Sequence, residues 1–357
     1  MSEKLLMKGN EAIGEAAVVA GCRHYFGYPI TPQSELIEYM AKRLPKLDGG
    51  VFVQAESEVA AINMVYGAAG AGARVMTSSS SPGMSLKQEG ISYIAGAELP
   101  CVIVNVQRGG PGLGGIQPAQ SDYFQATKGG GHGDYHCVVL APNSVQEMAD
   151  LTGLGFDLAD QYRTPVILLA DGALGQMMEP VIFKERTSKP VAKPWATTGV
   201  GERAQTNIIN SLFLKPEELE KHNEHLQAKY ATITEKEIRW EGSMLEDAEL
   251  VLVAYGITSR IAYSAMEMAR AEGMKVGLFR PITLWPFPEK ALHTVLSKAS
   301  AALAVELSTG QMVEDVRLAS NGVVPVHFYG RSGGMIMTPN QILDQIRKIF
   351  QAKGGKQ

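Results

Sequence analysis

Short apolar runs, each closed by a glycine- or proline-marked turn and followed by a helical pattern, recur along most of this chain. They constrain the fold more than any other feature. Strand signals occur at residues 24–27, 51–53, 74–77, 101–106, 137–140 and 165–170. Helical patterns lie around and between them at 9–19, 34–42, 59–69, 84–97 and 144–162. Strands that alternate with helices predict a mostly parallel, doubly wound α/β sheet covered on both faces. Such sheets take their ligands outside the carboxyl ends of the strands. The loops to inspect are therefore 27–33, 54–58, 78–83 and 107–120.

The pattern weakens after residue 170. Residues 177–245 are charged, punctuated by proline and poorly periodic, with one polar helix at 216–229. They read as a linker that wraps a neighbour. A second α/β unit starts near residue 246, with strands at 250–255, 275–279, 301–305 and 325–329 and helices at 259–272 and 339–350. Three regions follow: 1–176, a linker at 177–245, and 246–357. A length of 357 residues suits two cores rather than one.

The formal charge of −4, without a basic stripe, argues against nucleic acid as a partner. The three cysteines, Cys22, Cys101 and Cys137, form no CxxC pair. They suit a reducing, cytoplasmic setting and leave no iron–sulfur cluster held by this chain alone. No signal-peptide layout and no membrane-length apolar run occurs, so a membrane role is not expected.

The turn Gln54-Ala55-Glu56-Ser57-Glu58 opens a small-residue helix that ends in glycines. Ser57 can cap that helix, and the macrodipole favours Glu56 and Glu58 by about 0.3–1 kcal/mol each. Alternatively Glu58 is buried beside a ligand, since the helix behind it reads as apolar and covered all round. Arg108, at a strand end next to a glycine-rich loop, suits a bidentate grip on a carboxylate; an ion pair with Asp122 or Asp134 is the plainer account.

Gly110-Pro111-Gly112-Leu113-Gly114-Gly115 satisfies GxGxxG, but Pro118 follows where a dinucleotide site needs a helix. Nicotinamide binding there would make the chain a dehydrogenase. His132, His136 and Cys137 have metal-like spacing without a fourth ligand, so no metal site is assigned to them. Residues 78–83, Ser-Ser-Ser-Ser-Pro-Gly, offer hydroxyls and N–H donors to an anion or a polar heterocycle, or simply cap a helix.

Four stretches together resemble the α subunit of 2-oxoacid:ferredoxin oxidoreductases, which use thiamine diphosphate. They are Gly27-Tyr28-Pro29-Ile30-Thr31-Pro32, Gln54-Ala55-Glu56-Ser57-Glu58 with its glycine-ended helix, the 78–83 loop, and Val106-Gln107-Arg108-Gly109-Gly110-Pro111. The resemblance is strongest over 8–175. It implies a thiamine-diphosphate pyrimidine-binding-like domain at 1–176 and a transketolase C-terminal-like domain at 246–357. It also implies roles. Glu58, with Glu56 as fallback, would hydrogen-bond the pyrimidine N1′ atom. Thr31, Pro29 and Ile30 would line the cofactor, and Arg108 with Thr31 would hold the substrate.

This chain has no Gly-Asp-Gly diphosphate motif, its nearest approaches being Gly133-Asp134-Tyr135 and Ala170-Asp171-Gly172. The resemblance therefore places the diphosphate, Mg²⁺ and a [4Fe–4S] cluster on a partner β subunit. It also implies γ and ferredoxin-like δ subunits, coenzyme A as co-substrate and ferredoxin as acceptor. A large apolar interface is expected around Met64, Met76 and Met84. The uncharged loop 113–120, with Leu113 and Ile116, favours an apolar substrate side chain over a dicarboxylate. The resemblance is to the separate-subunit, branched-chain type, which implies oxidative decarboxylation of 3-methyl-2-oxobutanoate, with a 2-oxoglutarate enzyme as the alternative. A non-catalytic assembly subunit is the reading from another class.

Overall fold

The structure, a computed structural model, describes residues 4–183 and 191–354. The described strands of the first sheet run in the order Thr283–Trp285, Val138–Leu140, Pro165–Asp171, Cys101–Gln107, Val75–Ser79, His24–Gly27, Val51–Gln54. All pairs from Val138–Leu140 onward are parallel. The outermost strand, Thr283–Trp285, is antiparallel and reaches in from the second half of the chain. Cys101–Gln107 and Pro165–Asp171 are buried at every residue, as expected where helices cover both faces of a central parallel strand. Helices Gly9–Val19, Ser34–Arg43, Glu58–Gly70, Ser81–Gly96 and Val145–Tyr162 surround this sheet.

In the second sheet the order is Val326–Gly330, Ala301–Glu306, Leu250–Val253, Val276–Pro281, Trp240–Ser243, the last pair antiparallel. The buried side chains of both units merge into one core. The α/β, doubly wound organisation expected from the alternation is thus present twice.

The segment 177–245 is more ordered than its composition suggests. Met178–Val181 pairs with Leu5–Lys8, and Trp240–Ser243 forms an edge of the second sheet. The polar helix runs over Pro216–Lys236, longer than expected, and buries the stripe Leu226, Tyr230 and Ile233. Thr197 donates its N–H to the carbonyl of Gly70 at 2.9 Å, and the Arg163 guanidinium lies 4.5 Å over the Trp195 ring. The described part of this segment therefore packs on both of the chain's own units. Residues 184–190 of it lie outside the described residues.

Two buried side chains join the units. Gln120 Nε2 donates to the Tyr255 carbonyl at 2.8 Å, while its Oε1 accepts from Thr258 Oγ1 at 2.5 Å and Leu307 N at 3.0 Å. Asp171 accepts from Ala173 N at 2.9 Å and Leu174 N at 3.1 Å, and more weakly from Ile257 N at 3.4 Å. Gly256, at φ +56°, passes where a Cβ would sit 2.9 Å from Gln120 Nε2, so only glycine fits this junction. Together these contacts anchor the far end of the 108–120 loop.

Candidate active site

Four adjacent parallel strands, Cys101–Gln107, Val75–Ser79, His24–Gly27 and Val51–Gln54, deliver four loops to one edge of the sheet. That edge is the carboxyl one, and the loops carry Arg108, the serine run, Thr31 and Glu58.

Glu58 opens the helix Glu58–Gly70. Ser57 caps it, its Oγ accepting from Ala60 N at 3.1 Å. The capping reading and the burial reading both hold, because Glu58 itself is only 6% exposed whereas Glu56 stands in solvent. The carboxylate lodges against Gly83: a Cβ built there would lie 2.5 Å from Glu58 Oε1 and 2.1 Å from Ser79 Oγ. No side chain among the described residues donates a hydrogen bond to it. A nearly buried carboxylate without a donor is an acceptor waiting for one from outside the chain.

The serine run divides its work. Ser78 Oγ sits between the Tyr25 hydroxyl and Gln33 Oε1, 2.5 Å from each. Ser81 Oγ donates to Asp122 Oδ2 at 2.6 Å and accepts from Arg108 N at 3.0 Å. Ser79 Oγ and Ser80 Oγ are buried without a partner. Ser80 stands at the N-cap of Ser81–Gly96 without a side-chain capping bond, so ordinary capping does not account for the run.

Arg108 is only 7% exposed, and its guanidinium bonds backbone carbonyls rather than Asp122 or Asp134. Asp122 instead accepts from Ser81 and from Asn105 Nδ2 at 2.9 Å, and burial raises its pKa. The Arg108 guanidinium donates to the Thr31 carbonyl at 2.9 Å and the Leu113 carbonyl at 3.1 Å. Its Nε is buried without a partner. It ties together two loops and keeps a free donor.

The Thr31 side chain and Pro29 are exposed, and Ile30 is half-buried. Their turn is pinned by Gln33 N to the Ile30 carbonyl at 3.1 Å and by Asn10 Nδ2 to the Pro32 carbonyl at 2.8 Å.

The glycine-rich loop opens no helix. Gly115 N returns to the Gly109 carbonyl at 2.8 Å, Gly109 N reaches the Gln117 carbonyl at 2.9 Å, and Arg108 bridges Pro118. At Gly114, φ +60°, a Cβ would fall 1.8 Å from the Gly109 carbonyl oxygen. This closed loop lacks the helix start a dinucleotide pyrophosphate needs, which removes the structural basis of the nicotinamide reading. It presents Leu113, 82% exposed, and Ile116 to solvent. His136 stacks on Trp285 with ring centroids 4.5 Å apart, and Cys137 is buried, its thiol pushed up to about 12.

Two expectations need correction. The helix Glu58–Gly70 is not covered all round in this chain: Val59, 45% exposed, Asn63 and Gly67 form a bare stripe at helical spacing. The apolar sequence there could not reveal which face the chain itself fills. Of the three methionines expected around an interface, Met76 and Met84 belong to the chain's own core, while Met64 is half-buried; Val51, Val59, Leu86 and Tyr93 are the exposed apolar side chains nearby.

Sequence reasoning missed Lys87. It is wholly buried on the same face of its helix as Gly83, and its Nζ donates to Thr77 Oγ1 at 2.9 Å. The signal was available, since residues 83, 87, 91 and 94 form the buried stripe of Ser81–Gly96.

Comparison with known proteins gives the geometry a family. The thiamine diphosphate-binding domain of pyruvate flavodoxin/ferredoxin oxidoreductases matches residues 15–241, and core domain II of pyruvate:ferredoxin oxidoreductase matches 248–342. Ketoisovalerate oxidoreductase subunit VorB of Methanothermobacter marburgensis is 56% identical over 346 residues, covering 96% of this chain and 97% of that protein. The 2-oxoglutarate synthase subunit KorA of Methanocaldococcus jannaschii is 36% identical, over 94% of this chain and 97% of that one. A structure of 2-oxoglutarate:ferredoxin oxidoreductase from Magnetococcus marinus superposes with a TM-score of 0.84 at 29% identity, spanning 97% of this chain and 65% of that chain. A split-gene transketolase, an inactive β4 tetramer, shares the fold at a TM-score of 0.60 and 14% identity, over 96% of this chain and 97% of that one. The family matches extend over both α/β units, and the chain belongs to the 2-oxoacid:ferredoxin oxidoreductases, as one subunit of such an enzyme.

Proposed function

We propose that this chain is the pyrimidine-side catalytic subunit of a branched-chain 2-oxoacid:ferredoxin oxidoreductase, which converts 3-methyl-2-oxobutanoate to its acyl-CoA and passes the electrons to ferredoxin. The observation that carries the reading is the Glu58 carboxylate, nearly buried, undonated and cradled by a glycine at the carboxyl edge of the sheet. That donor set suits a protonated heteroaromatic nitrogen such as N1′ of a thiamine pyrimidine. The carboxylate would accept the N1′–H and, in a site with little water, hold the proton on that nitrogen. When bound, thiamine diphosphate supplies the nucleophilic carbon and the electron sink for decarboxylation.

The remaining work falls to the neighbouring loops. Arg108 would bind the substrate carboxylate with its spare donor while its other N–H groups keep the Thr31 and Leu113 backbones in place. Thr31 would face the reacting carbonyl, with Pro29 and Ile30 beside the cofactor. Leu113 and Ile116 present apolar surface where a dicarboxylate substrate would need a cation, which favours a branched aliphatic side chain. Relatives named for ketoisovalerate are more similar to this chain than those named for 2-oxoglutarate, 54–56% against 31–38% identity, which supports the same choice.

The site is half of one. Glu58, Thr31 and Arg108 lie on an open edge, whereas a cavity of about 930 Å³ lies elsewhere, between the 128–136 loop and the helix Pro216–Lys236. No Gly-Asp-Gly stretch occurs in the sequence. We therefore assign the diphosphate, Mg²⁺ and a [4Fe–4S] cluster to a β subunit, with γ and δ subunits completing a cytoplasmic complex. The bare stripe of Val59, Asn63 and Gly67 is the natural seat for that β subunit.

The test is Glu58→Gln in the assembled complex. Decarboxylation of 3-methyl-2-oxobutanoate should fall roughly 10²–10⁴-fold while the subunits stay together. Near-normal turnover would leave only a non-catalytic assembly role. Preference for 2-oxoglutarate by the wild-type complex would reassign the substrate.

A further inference from the structure

The loop that carries Leu113 and Ile116 is closed on itself at Gly109, Gly115 and Gln117, and its far end is anchored at Gln120. Its base rests on the second unit. Strand Val326–Gly330 ends there in the turn Arg331-Ser332-Gly333-Gly334. Arg331 N ties that turn to the Glu306 carbonyl at 3.2 Å, and Met335 N closes it on the Ser332 carbonyl at 3.3 Å. Met337, buried in the core, holds its other side. A Cβ on Gly109 would lie 3.3 Å from both Gly333 C and Gly334 N, so little more than a methyl group would fit between the two backbones. A Cβ on Gly334 would fall 2.4 Å from Gln117 Cβ, far inside any real carbon–carbon contact. Gln117 is thus seated on a bare glycine, whose φ of +87° also favours that residue.

Short steps connect this seat to Arg108. The Gln117 carbonyl accepts the Gly109 N–H at 2.9 Å, Pro118 bridges Arg108, and the Arg108 guanidinium donates to the Leu113 carbonyl at 3.1 Å. Leu113 is 82% exposed, so the loop takes its position from its base rather than from packing at its tip. We propose that Gly334 is a positioning residue for this reaction: it seats Gln117 so that the second α/β unit fixes the loop 109–117 and, through it, the guanidinium that receives the substrate carboxylate. The proposal rests on Arg108 being that receiving group. It gives the second unit a task in substrate binding through backbone shape alone. A methyl at 334 must displace Gln117 by about 1 Å to reach the 3.4 Å of ordinary contact. Part of that shift passes to Leu113 and Arg108, so the cost stays below the order of 10²-fold that a full 1 Å misplacement at reacting groups carries. Glu58 stands on a different loop, so affinity for the cofactor should not follow.

The test compares two neighbouring glycines in the assembled complex. Gly333→Ala puts a methyl on a left-handed backbone, φ +64°, where a Cβ meets nothing within 4 Å; Gly334→Ala adds the contact with Gln117. The readouts are KM and kcat for 3-methyl-2-oxobutanoate, affinity for thiamine diphosphate, and hydrogen exchange across residues 109–117. Gly334→Ala should raise KM about tenfold or more with kcat within about threefold, leave cofactor affinity within about twofold, and speed exchange at the Gly109 and Gly115 amides. Gly333→Ala should stay within about twofold of wild type throughout. Gly334→Ala/Gln117→Gly, which moves the methyl from one side of the contact to the other, should recover most of the KM. Equal effects in the two alanine variants would assign the loss to backbone strain and overturn the proposal. So would a wild-type KM in Gly334→Ala, or a swap that recovers nothing. If Gly334→Ala fails to assemble, Gln117→Gly decides: it empties the seat, raised KM with faster exchange supports the proposal, and an unchanged KM overturns it. An unchanged kcat/KM in Arg108→Ala would instead sink the functional reading, whatever the glycine variants do.

Discussion

Gly83→Ala tests the cradle directly, because the structure separates its cost to the fold from its cost to the site. Gly83 lies in the first turn of Ser81–Gly96 with an ordinary helical backbone, so alanine would gain roughly 0.8–1 kcal/mol of helix propensity. Against this, the new methyl would fall 2.1 Å from Ser79 Oγ, 2.5 Å from Glu58 Oε1 and 2.9 Å from Glu58 Cγ. All three atoms are on side chains that can rotate, and overpacking of this kind costs about 1–3 kcal/mol. The net loss of stability should stay within about 2 kcal/mol. The carboxylate, however, must retreat from 2.5 Å to at least the 3.4 Å of ordinary contact, a shift of about 0.9 Å. A displacement of that size at a reacting group costs on the order of 10²-fold in rate, equivalent to about 2.7 kcal/mol.

The assay is kcat for 3-methyl-2-oxobutanoate by the assembled complex, with the melting temperature measured on the same sample. Gly70→Ala is the control, since a Cβ there meets nothing within 4 Å. We expect Gly83→Ala to assemble, to melt within a few degrees of wild type, and to turn over about 10²-fold more slowly. Turnover within twofold of wild type would refute the claim that the packing around Gly83 sets the carboxylate's position.

Two further outcomes follow from the site and the junction. Arg108→Ala should raise KM and lower kcat/KM for the 2-oxoacid by roughly 2–4 kcal/mol equivalent, because it removes the proposed carboxylate clamp and two backbone hydrogen bonds at once; an unchanged kcat/KM removes Arg108 from the site. Asp171 has its folded pKa pushed up to about 6 by burial, above the roughly 3.9 of an unfolded aspartate. The folded state therefore holds this proton more tightly, so the group costs nothing below about pH 4 and up to about 2–3 kcal/mol once pH has risen past 6. Asp171→Asn keeps an acceptor for Ala173 and Leu174 and abolishes that slope; parallel melting-temperature curves for the two proteins between pH 4 and 7 would refute it.

The parts of the fold legible in the sequence are those whose pattern is set by local chemistry. Gly9–Val19 and His24–Gly27 were delimited from their residues alone, and the parallel sheet followed from the alternation. Trp240–Ser243 and Thr283–Trp285 were illegible, since each is a short edge whose pairing partner arrives from a distant part of the chain. The helix Pro216–Lys236 looked shorter because only the narrow stripe of Leu226, Tyr230 and Ile233 is buried. In the site, the Ser57 cap and the acid after it could be read from adjacent residues. What Arg108 binds could not, because its partners are carbonyls from two different loops and carbonyls leave no trace in side-chain identity. Lys87 was hidden for the opposite reason: a lysine in a helix reads as solvated unless its phase against the apolar stripe is checked.

That phase check bears on why Glu58, the proposed catalytic acid, stands at the first position of its helix rather than deeper. At Glu58 the positive end of the helix dipole favours a carboxylate from within the chain. The outward side of the same helix, along Val59, Asn63 and Gly67, is left bare with small side chains that permit close approach. One turn further along, the carboxylate would sit either inside the core, beyond reach of any ligand, or on the bare stripe, where a docked subunit would cover it. The first turn is the position at which an acid can be held against Gly83 by its own chain and still face the proposed cofactor site at the boundary with another chain. On this account the helix does two jobs on two faces, and exchanging Glu58 with its neighbour Val59 would fail at both, since it would move the charge onto the docking stripe and leave the Gly83 cradle with an alkyl group.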